Sequence, residues 1–400
     1  MTNFHIFDAD NHYYETQDAF TRYLPKHLAG LFKFVQVDGR TKLAINNHIS
    51  EYIPNPTFEV VAPPGLYEIK YRLENPNSTM SPDEAKNLEM PPKYMKSIPA
   101  FFEPGPRIEL MNELGVDRTI IWPTLATLLE ERLADDPIAT HEAAHAFNEW
   151  LLDQWSYVYQ DRIFSTPIIA LNIVDRAIEE LEWVLKKGAK VILVRPAPVP
   201  DFNGRRRSFA LPEFDPFWAR VQEADVLVGM HEGDNGFHNY LNNYEGHTRE
   251  FLPFNTRISA FTKLINAESR PISDVIASIV GHGLVTRFPR LKFLPVENGS
   301  SWVRPLLDKF KRCYGRSPSY FVEDPVEAFN RCIWIHPFHE EDTVGLAKEL
   351  GADRITFGSD YPHPEGLDKP KEFVKELKGL NEDEQRMIMG GNLSALMDAA

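Results

Sequence analysis

The sequence predicts a (β/α)8 barrel, the TIM-barrel fold, built as a single domain over residues 1–400. Short, largely apolar segments alternate with segments of helical spacing, which is typical of a parallel sheet covered by helices. Eight such units in a chain of 400 residues indicate a closed barrel. An open doubly wound sheet is the alternative, but no glycine-rich phosphate loop follows any predicted strand.

The predicted strands are apolar runs, most of which end in a polar residue. In chain order they cover residues 4–8, 118–122, 164–170, 190–195, 226–231, 291–297, 332–336 and 355–360. The first is expected to end at Asp8, so that Asp10, His12 and Glu15 lie at its mouth. Because alternate residues of an extended chain share a face, Asp10 and His12 should point the same way.

Apolar residues recur at helical spacing between these strands. Helices are predicted over residues 108–114, 141–159, 177–187, 216–224, 272–288, 302–310 and 342–350, with several more within 369–397. Gly115, Gly188 and Gly351 each follow one of these helices. Glycine favours the left-handed conformation that ends a helix, so these three residues support the boundaries.

Two long segments interrupt the alternation. Residues 16–106 follow the first strand; they carry a hairpin signal, Asp38-Gly39 between apolar runs, and several proline-rich stretches. Residues 232–270 follow the fifth strand and are predicted to form a long loop. Long loops inside compact domains are usually functional, so we expect residues 16–106 to cap the C-terminal mouth of the barrel.

Charge and cysteine content exclude several classes of protein. The formal net charge of -15 argues against a nucleic-acid partner, because phosphate binding needs a basic face. Residues 205–207, three consecutive arginines, are expected to form a solvated loop. Cys313 and Cys332 cannot build a disulfide framework, which indicates a reducing cytoplasm. No secretory leader and no run of about 20 apolar residues is evident, so we expect a cytoplasmic protein without membrane contact.

The predicted strand ends carry the chemistry of this sequence. In a (β/α)8 barrel the active site lies at the C-terminal ends of the strands. The residues there are Asp10, His12, Arg195, His231, Glu297, His336 and Asp360. Because imidazole and carboxylate ligands suit divalent transition metals, we predict a metal-dependent active site. The predicted metal ligands are Asp10, His12, His231, His282, Glu297 and Asp360, of which Glu297, Asp360 and His231 are also the predicted catalytic residues.

Each candidate also has a structural alternative. His231 would otherwise be a core histidine, and Glu297 would cap the next helix through its N-terminal N–H groups. Arg195 would either form an ion pair inside the barrel or hold a substrate carboxylate or thioester. His282 lies within a predicted helix, where a structural role is more common. The residues predicted to contact substrate are Arg195, Trp302, His336 and His363, and Glu15 is retained as a further candidate.

These strand-end motifs resemble the amidohydrolase superfamily over nearly the whole barrel. The similar branch contains aminocarboxymuconate-semialdehyde decarboxylase and the resorcylate-type decarboxylases. The resemblance lies in Asp8-x-Asp10-x-His12, His231, residues 287–292 and residues 357–362. It implies that the metal ligands are Asp10, His12, His231 and Asp360.

Two departures from this pattern change the expected metal site. The superfamily's His-x-His is here Asp10-x-His12, and the decarboxylases' catalytic histidine of strand six is here Glu297. Three carboxylates with two or three imidazoles could hold two metals, a ligand mixture that non-heme iron favours. Through residues 8–15 and 296–300 the chain also resembles the nonheme diiron monooxygenases of actinobacterial platensimycin and platencin biosynthesis.

Three functions follow from these resemblances and from the residues. The first is a diiron monooxygenase that hydroxylates a large apolar, diterpenoid-like acid or thioester with electrons from an external donor. The second is a hydrolase or decarboxylase with one zinc or manganese ion. The third, a non-catalytic binding protein, is disfavoured by the ionisable strand ends. A small-molecule substrate is expected in the first two cases, and a homodimer formed through the cap is left open.

Overall fold

The computed structural model describes residues 4–74, 91–248, 259–265 and 269–398, and it contains the predicted barrel. Strands one to six are Phe7–Tyr13, Arg118–Pro123, Ile163–Ser165, Val191–Leu193, Leu227–His231 and Phe293–Val296. Residues 333–335 and 355–361 complete the ring as strands seven and eight, although only single β-bridges join each of them to its neighbours.

Parallel pairing closes this ring. Strand one pairs with two, two with three, four with five and five with six. The remaining contacts are single parallel bridges: Ile168 to Leu193, Phe293 to Ile333, Ile335 to Ile355, and Asn11 to Tyr361. The last bridge joins strand eight to strand one, so the predicted (β/α)8 barrel is confirmed.

Strand one differs most from its prediction. It runs over Phe7–Tyr13 instead of residues 4–8, and every residue in it is buried. Asp8 shows why, since it accepts hydrogen bonds from the Ser359 backbone N–H at 2.9 Å and from Asn11 Nδ2 at 3.1 Å. Polar side chains inside the barrel thus find partners on neighbouring segments. Asp10 and His12 therefore lie within the strand and not beyond its end.

Helices cover the outside of the barrel close to their predicted positions. They are Pro104–Leu114, Leu129–Arg132, Pro137–Trp155, Val174–Lys186, Asp215–Ala224, Arg270–Gly281, Leu284–Arg287, Val303–Arg316, Pro325–Cys332, Thr343–Leu350, Glu382–Arg386 and Asn392–Asp398. Gly115 has the left-handed conformation expected of a helix end, with φ of 74°. The single helix predicted over residues 272–288 is wrong, because the chain breaks at Gly283, whose φ is 70°.

Shorter elements connect these helices and strands. The 3-10 turns are Lys26–Leu28, Pro99–Phe101, Ala126–Leu128, Pro212–Phe214, Pro318–Tyr320, Ala352–Arg354 and Pro370–Lys375, and Met387–Gly391 forms a π turn. Two short antiparallel pairs flank the barrel: Val158–Tyr159 lies against strand three, and Val199–Pro200 pairs with Arg206–Arg207. The run of arginines predicted to be a loop is therefore partly a strand.

The insertion after strand one contains the predicted hairpin. Phe32–Val37 pairs with Arg40–Ile45 across Asp38-Gly39, and His48–Ser50 extends the sheet. Val60–Val61 pairs with Met95–Lys96, and the helix Leu66–Glu74 lies between them in sequence. The Phe20 ring stacks on Phe32 with centroids 5.0 Å apart and on Phe147 at 5.5 Å, so the insertion packs directly on the barrel helices.

The segment after strand five is more ordered than predicted. The loop expected over residues 232–270 contains the helices Phe237–Glu245 and Ala260–Ile265. Among the residues that the structure describes, no helix has both the length and the hydropathy needed to cross a bilayer.

The Trp122 side chain fills the middle of the barrel. This residue is fully buried, and its Nε1 donates a hydrogen bond to the Ala9 carbonyl at 2.9 Å. Strand five makes room for the indole with Gly229: a β-carbon there would lie 2.6 Å from Trp122 Cζ3 and closer still to Cη2. The same indole lies 5.2 Å from the His231 ring, centroid to centroid. The barrel core therefore directly supports the C-terminal mouth.

Candidate metal centre

Three side chains from opposite sides of the barrel meet at its C-terminal mouth. Asp10 Oδ1 lies 3.4 Å from His12 Nε2 and 3.4 Å from His231 Nε2. These three residues are at most 3% exposed. One donor atom from each lies within 4.8 Å of the others, which is close enough for all three to bind one metal ion. The structure thus brings together three of the residues that the sequence analysis proposed as metal ligands.

Glu297 and Asp360 enclose the open side of this trio. Glu297 Oε2 lies 3.3 Å from His231 Nε2, and Asp360 Oδ1 lies 3.4 Å from His12 Nε2. Their side chains are 22% and 12% exposed, whereas Asp10 is fully buried. Both have φ of 55°, a left-handed conformation that is uncommon for residues other than glycine. Backbone strain of this kind is concentrated at functional sites.

His363 and Glu365 extend the cluster toward the loop after strand eight. His363 Nδ1 lies 2.8 Å from Asp360 Oδ1, and its ring stacks on His12 with centroids 4.0 Å apart. A second group of four residues also has one metal-ligand atom from each within 4.8 Å of the others: Glu297, Asp360, His363 and Glu365. His363 was predicted to contact substrate, but its position is also that of a metal ligand. Glu365 was missed by the sequence analysis, because it lies in a loop beyond the end of the strand.

The electrostatics of the cluster favour binding of a cation. Burial raises the pKa values of Glu297, Asp360 and Glu365, and the charge of Asp10 raises each of them further. Burial opposes ionisation of Asp10 too, but the imidazoles of His12 and His231 hold its pKa well below the usual range. A bound cation would stabilise all four carboxylates in their charged form.

Several nitrogen and oxygen atoms of the cluster are buried but make no hydrogen bond. They are Asp10 Oδ2, His12 Nε2, Asp360 Oδ1, His363 Nδ1 and Glu365 Oε2. Unsatisfied buried polar atoms are costly and require an explanation, for which a bound ion is one of the standard ones. The mixture of imidazole nitrogens and carboxylate oxygens fits a divalent transition metal such as manganese, iron or zinc.

Neighbouring groups fix the orientation of these ligands. His231 Nδ1 lies 2.8 Å from the Glu232 carbonyl oxygen, which can only accept, so Nδ1 carries a proton and Nε2 faces the cluster. His336 Nδ1 accepts a hydrogen bond from the Glu297 backbone N–H at 3.2 Å. His336, predicted to contact substrate, lies behind the cluster and holds Glu297 in place.

Arg107 anchors strand one from below the cluster. This buried guanidinium donates to the His12 carbonyl at 2.8 Å, to the Ala100 carbonyl at 2.6 Å and to Asn11 Oδ1. Burial lowers its pKa to about 10. Since the same guanidinium contacts both strand one and the insertion, it couples the position of His12 to the cap.

The remaining predicted site residues do not reach the cluster. Glu15 Oε1 accepts hydrogen bonds from the backbone N–H groups of residues 124–126, so it fixes the loop after strand two. Arg195 forms an ion pair with Glu131 at 2.7 Å, the structural alternative considered for it. Trp302 is buried and donates to the Gly299 carbonyl at 2.9 Å. His282 is exposed on the outer helix, with Nδ1 3.1 Å from Ser278 Oγ, and is not among the clustered ligands.

One aromatic residue of the insertion packs against residues next to the cluster. Phe58 stacks on Tyr14 with ring centroids 4.3 Å apart, and Tyr14 in turn lies 6.0 Å from His363. Both Phe58 and Tyr14 are buried. Burial, followed by the charge of Glu297, raises the pKa of Tyr52.

Comparison with known proteins identifies the family. The Amidohydrolase family model matches residues 90–393. The gamma-resorcylate decarboxylase of Polaromonas sp. (strain JS666 / ATCC BAA-500) is 24% identical over 301 residues, which are 72% of this chain and 86% of that protein. A solved structure of an amidohydrolase from Mycobacterium avium subsp. paratuberculosis K-10 is 37% identical, covers 99% of this chain and 100% of its own, and has a TM-score of 0.88.

A second solved structure has the same fold at lower identity. It is a dihydroxybenzoic acid decarboxylase from Polaromonas sp. JS666 with bound manganese and the inhibitor 2-nitroresorcinol. It is 19% identical, covers 82% of this chain and 93% of its own, and has a TM-score of 0.56. The family match over residues 90–393 and the 37% identical structure establish that the chain belongs to the amidohydrolase family.

Proposed function

We propose that this protein is a metal-dependent decarboxylase that acts on a small carboxylic acid with an unsaturated or aromatic ring. The observation that carries the proposal is the convergence of Asp10, His12 and His231, whose donor atoms lie within 4.8 Å of one another at the C-terminal mouth. Two gamma-resorcylate decarboxylases are among its relatives, each 24% identical. The 2-nitroresorcinol complex of the Polaromonas decarboxylase also supports an aromatic acid as the substrate class.

In this proposal, Asp10, His12, His231 and Asp360 would hold one divalent ion, and a bound ion would supply a Lewis acid for a substrate oxygen. Loss of carbon dioxide leaves an electron pair on the substrate carbon, and that carbon must then receive a proton. Glu297 is placed to deliver it, because its side chain is 22% exposed, more than the 12% of Asp360, and borders the open side of the trio.

The test is release of carbon dioxide by protein freed of metal and then loaded with manganese or zinc. A panel of hydroxybenzoates is supplied without oxygen, and product is followed by mass spectrometry. We expect Glu297→Gln to retain the metal while turnover falls at least about 100-fold, the usual range for a lost proton donor. Loss of metal from this variant would instead make Glu297 a ligand. Absence of carbon dioxide with every metal and substrate would overturn the proposal.

A second candidate function has one observation in its favour. Glu297, Asp360, His363 and Glu365 form a donor group that overlaps the first through Asp360 and His363. A site with bridging carboxylates could hold two iron ions, as a monooxygenase acting on an apolar substrate with an external electron donor would require. Two irons per chain and oxygen consumption coupled to hydroxylation would favour this candidate. One metal per chain, with turnover indifferent to oxygen, would favour the decarboxylase.

A further inference from the structure

A cavity of about 430 Å³ lies beside the metal centre and is not used by the chemistry described above. Its walls come from the segment after strand four, the start of helix Phe237–Glu245 and the outer helix Arg270–Gly281. Cavities that hold small organic ligands are typically about 300–1,000 Å³. The volume is therefore sufficient for a substantial part of a substrate.

The lining of this cavity separates an apolar floor from a polar rim. Ala197, Phe209 and Val275 line the floor and are 3%, 2% and 7% exposed. Arg206 and His282, both exposed, belong to the rim. An apolar floor with a few polar groups at its edge is the usual lining of a small-molecule site. The floor suits a hydrocarbon or aromatic group better than a charged one.

A smaller void adjoins both the cavity and His231. This void has a volume of about 20 Å³, is lined by His231, Leu193 and Arg195, and shares Pro196 and Asn235 with the larger cavity. It has room for about one water molecule. The two spaces are therefore neighbours that share two wall residues, and the smaller one reaches a residue of the metal centre.

An ion-pair network joins the linings of the two spaces. Glu131 is the common partner of Arg195, which lines the small void, and Arg206, which lines the cavity; each N–O distance is 2.7 Å. Asn239 donates to the same carboxylate at 3.3 Å. Because two guanidinium groups share one carboxylate, a bound substituent that displaced Arg206 outward would leave the Glu131 charge paired with Arg195.

The geometry points to this cavity as the binding site for the apolar body of the substrate. This inference rests on the proposed function and extends it. The carboxylate of the substrate reacts at the metal centre, and a hydrocarbon or aryl group attached to the ring occupies the cavity. The preferred substrate is then a ring carboxylic acid with an extended apolar substituent, and a simple hydroxybenzoate should react more slowly. His282 and Arg206 at the rim would contact the distal end of that substituent.

The experiment uses the manganese-loaded protein and unreactive probes. The probes are 2-nitroresorcinol and its 5-butyl, 5-hexyl and 5-octyl derivatives, with dissociation constants measured by calorimetry. We expect affinity to rise about fourfold for each methylene that enters the cavity. Ser278→Phe fills the cavity from the outer helix and should abolish this rise. Ser273→Phe is the matched control, because Ser273 lies on the same helix but does not line the cavity. Asn239→Trp, at the exposed rim, provides a second blocking variant.

The outcomes separate this inference from the proposed function. If affinity does not increase with chain length, or if it increases equally in Ser278→Phe and Ser273→Phe, the cavity is not the substituent site. If no probe binds to the manganese-loaded protein, the proposed function fails. The cavity is then tested in the metal-free protein with 1-anilinonaphthalene-8-sulfonate. Fluorescence lost in Ser278→Phe but kept in Ser273→Phe would support an apolar ligand site, and equal fluorescence in both would overturn it.

Discussion

Replacing Gly229 with alanine should destabilise the barrel and disturb the metal centre together. The added β-carbon would lie 2.6 Å from Trp122 Cζ3 and closer still to Cη2, so the indole must move by about 1.5 Å to reach an ordinary contact distance. Overpacking of this kind costs about 1–3 kcal/mol. Movement of the indole also weakens its 2.9 Å hydrogen bond to the Ala9 carbonyl, which adds about 1 kcal/mol. We therefore expect a loss of about 2–4 kcal/mol in the free energy of unfolding.

Urea denaturation measures this loss, and a Gly281→Ala variant is the matched control. Gly281 lies in an outer helix, and a β-carbon there would have no neighbour within 4 Å. The control should be neutral or gain up to about 1 kcal/mol, because alanine favours a helix. In a Trp122→Phe background, which removes the outer atoms of the indole, Gly229→Ala should cost less than about 1 kcal/mol. A Gly229→Ala protein as stable as the wild type would refute the argument that the indole fills this space.

Three further predictions concern the centre, its support and the pH dependence of stability. His231→Ala should weaken manganese binding at least about 100-fold, since loss of an outer partner alone typically costs about 10–100-fold; equilibrium dialysis measures it, and His282→Ala should bind as the wild type does. Arg107→Met should lower the free energy of unfolding by about 3 kcal/mol or more, because three buried oxygen acceptors lose their donor; a loss under about 1 kcal/mol in urea denaturation would contradict it. Burial lowers the pKa of His141 to about 4, so its neutral form is favoured in the folded protein. The contribution of the neutral His141 imidazole to the free energy of unfolding is complete above the ordinary pKa of about 6.5. It declines by up to about 3 kcal/mol as the pH falls toward 4. His141→Gln should therefore lose less stability than the wild type between pH 7 and 4.5, whereas His48→Gln, at an exposed site, should follow the wild type.

The sequence could predict the centre because barrel topology brings strand ends together. Asp10, His12, His231, Glu297 and Asp360 are far apart in the chain, but each lies at or near the C-terminal end of a strand. Once the strands are recognised, their proximity follows without knowledge of any loop.

Some predictions failed because they depend on tertiary structure, which the local sequence pattern does not reveal. The extent of strand one was missed because Asp8 is satisfied by Ser359, a residue 351 positions away. His282 was predicted to be a ligand, but it follows the last residue of helix Arg270–Gly281 and is exposed on the outside of the barrel. Glu365 was missed because its position depends on the turn after strand eight, in which the His363 N–H donates to the Asp360 carbonyl at 2.9 Å. Tertiary contacts determine such turns, and the alternation of residues along a strand does not predict them.

Backbone hydrogen bonds hold the two strained carboxylate residues in position. Asp360 and Glu297 both have φ of 55°, and each is held there by a hydrogen bond from its own backbone N–H. Asp360 donates to the Asp10 carbonyl at 2.7 Å, and Glu297 donates to His336 Nδ1 at 3.2 Å. The acceptors belong to Asp10 itself and to the imidazole beside it. Ligand position and backbone strain are thus coupled within one network, so a change at His336 should act on metal binding through Glu297 without removing a ligand.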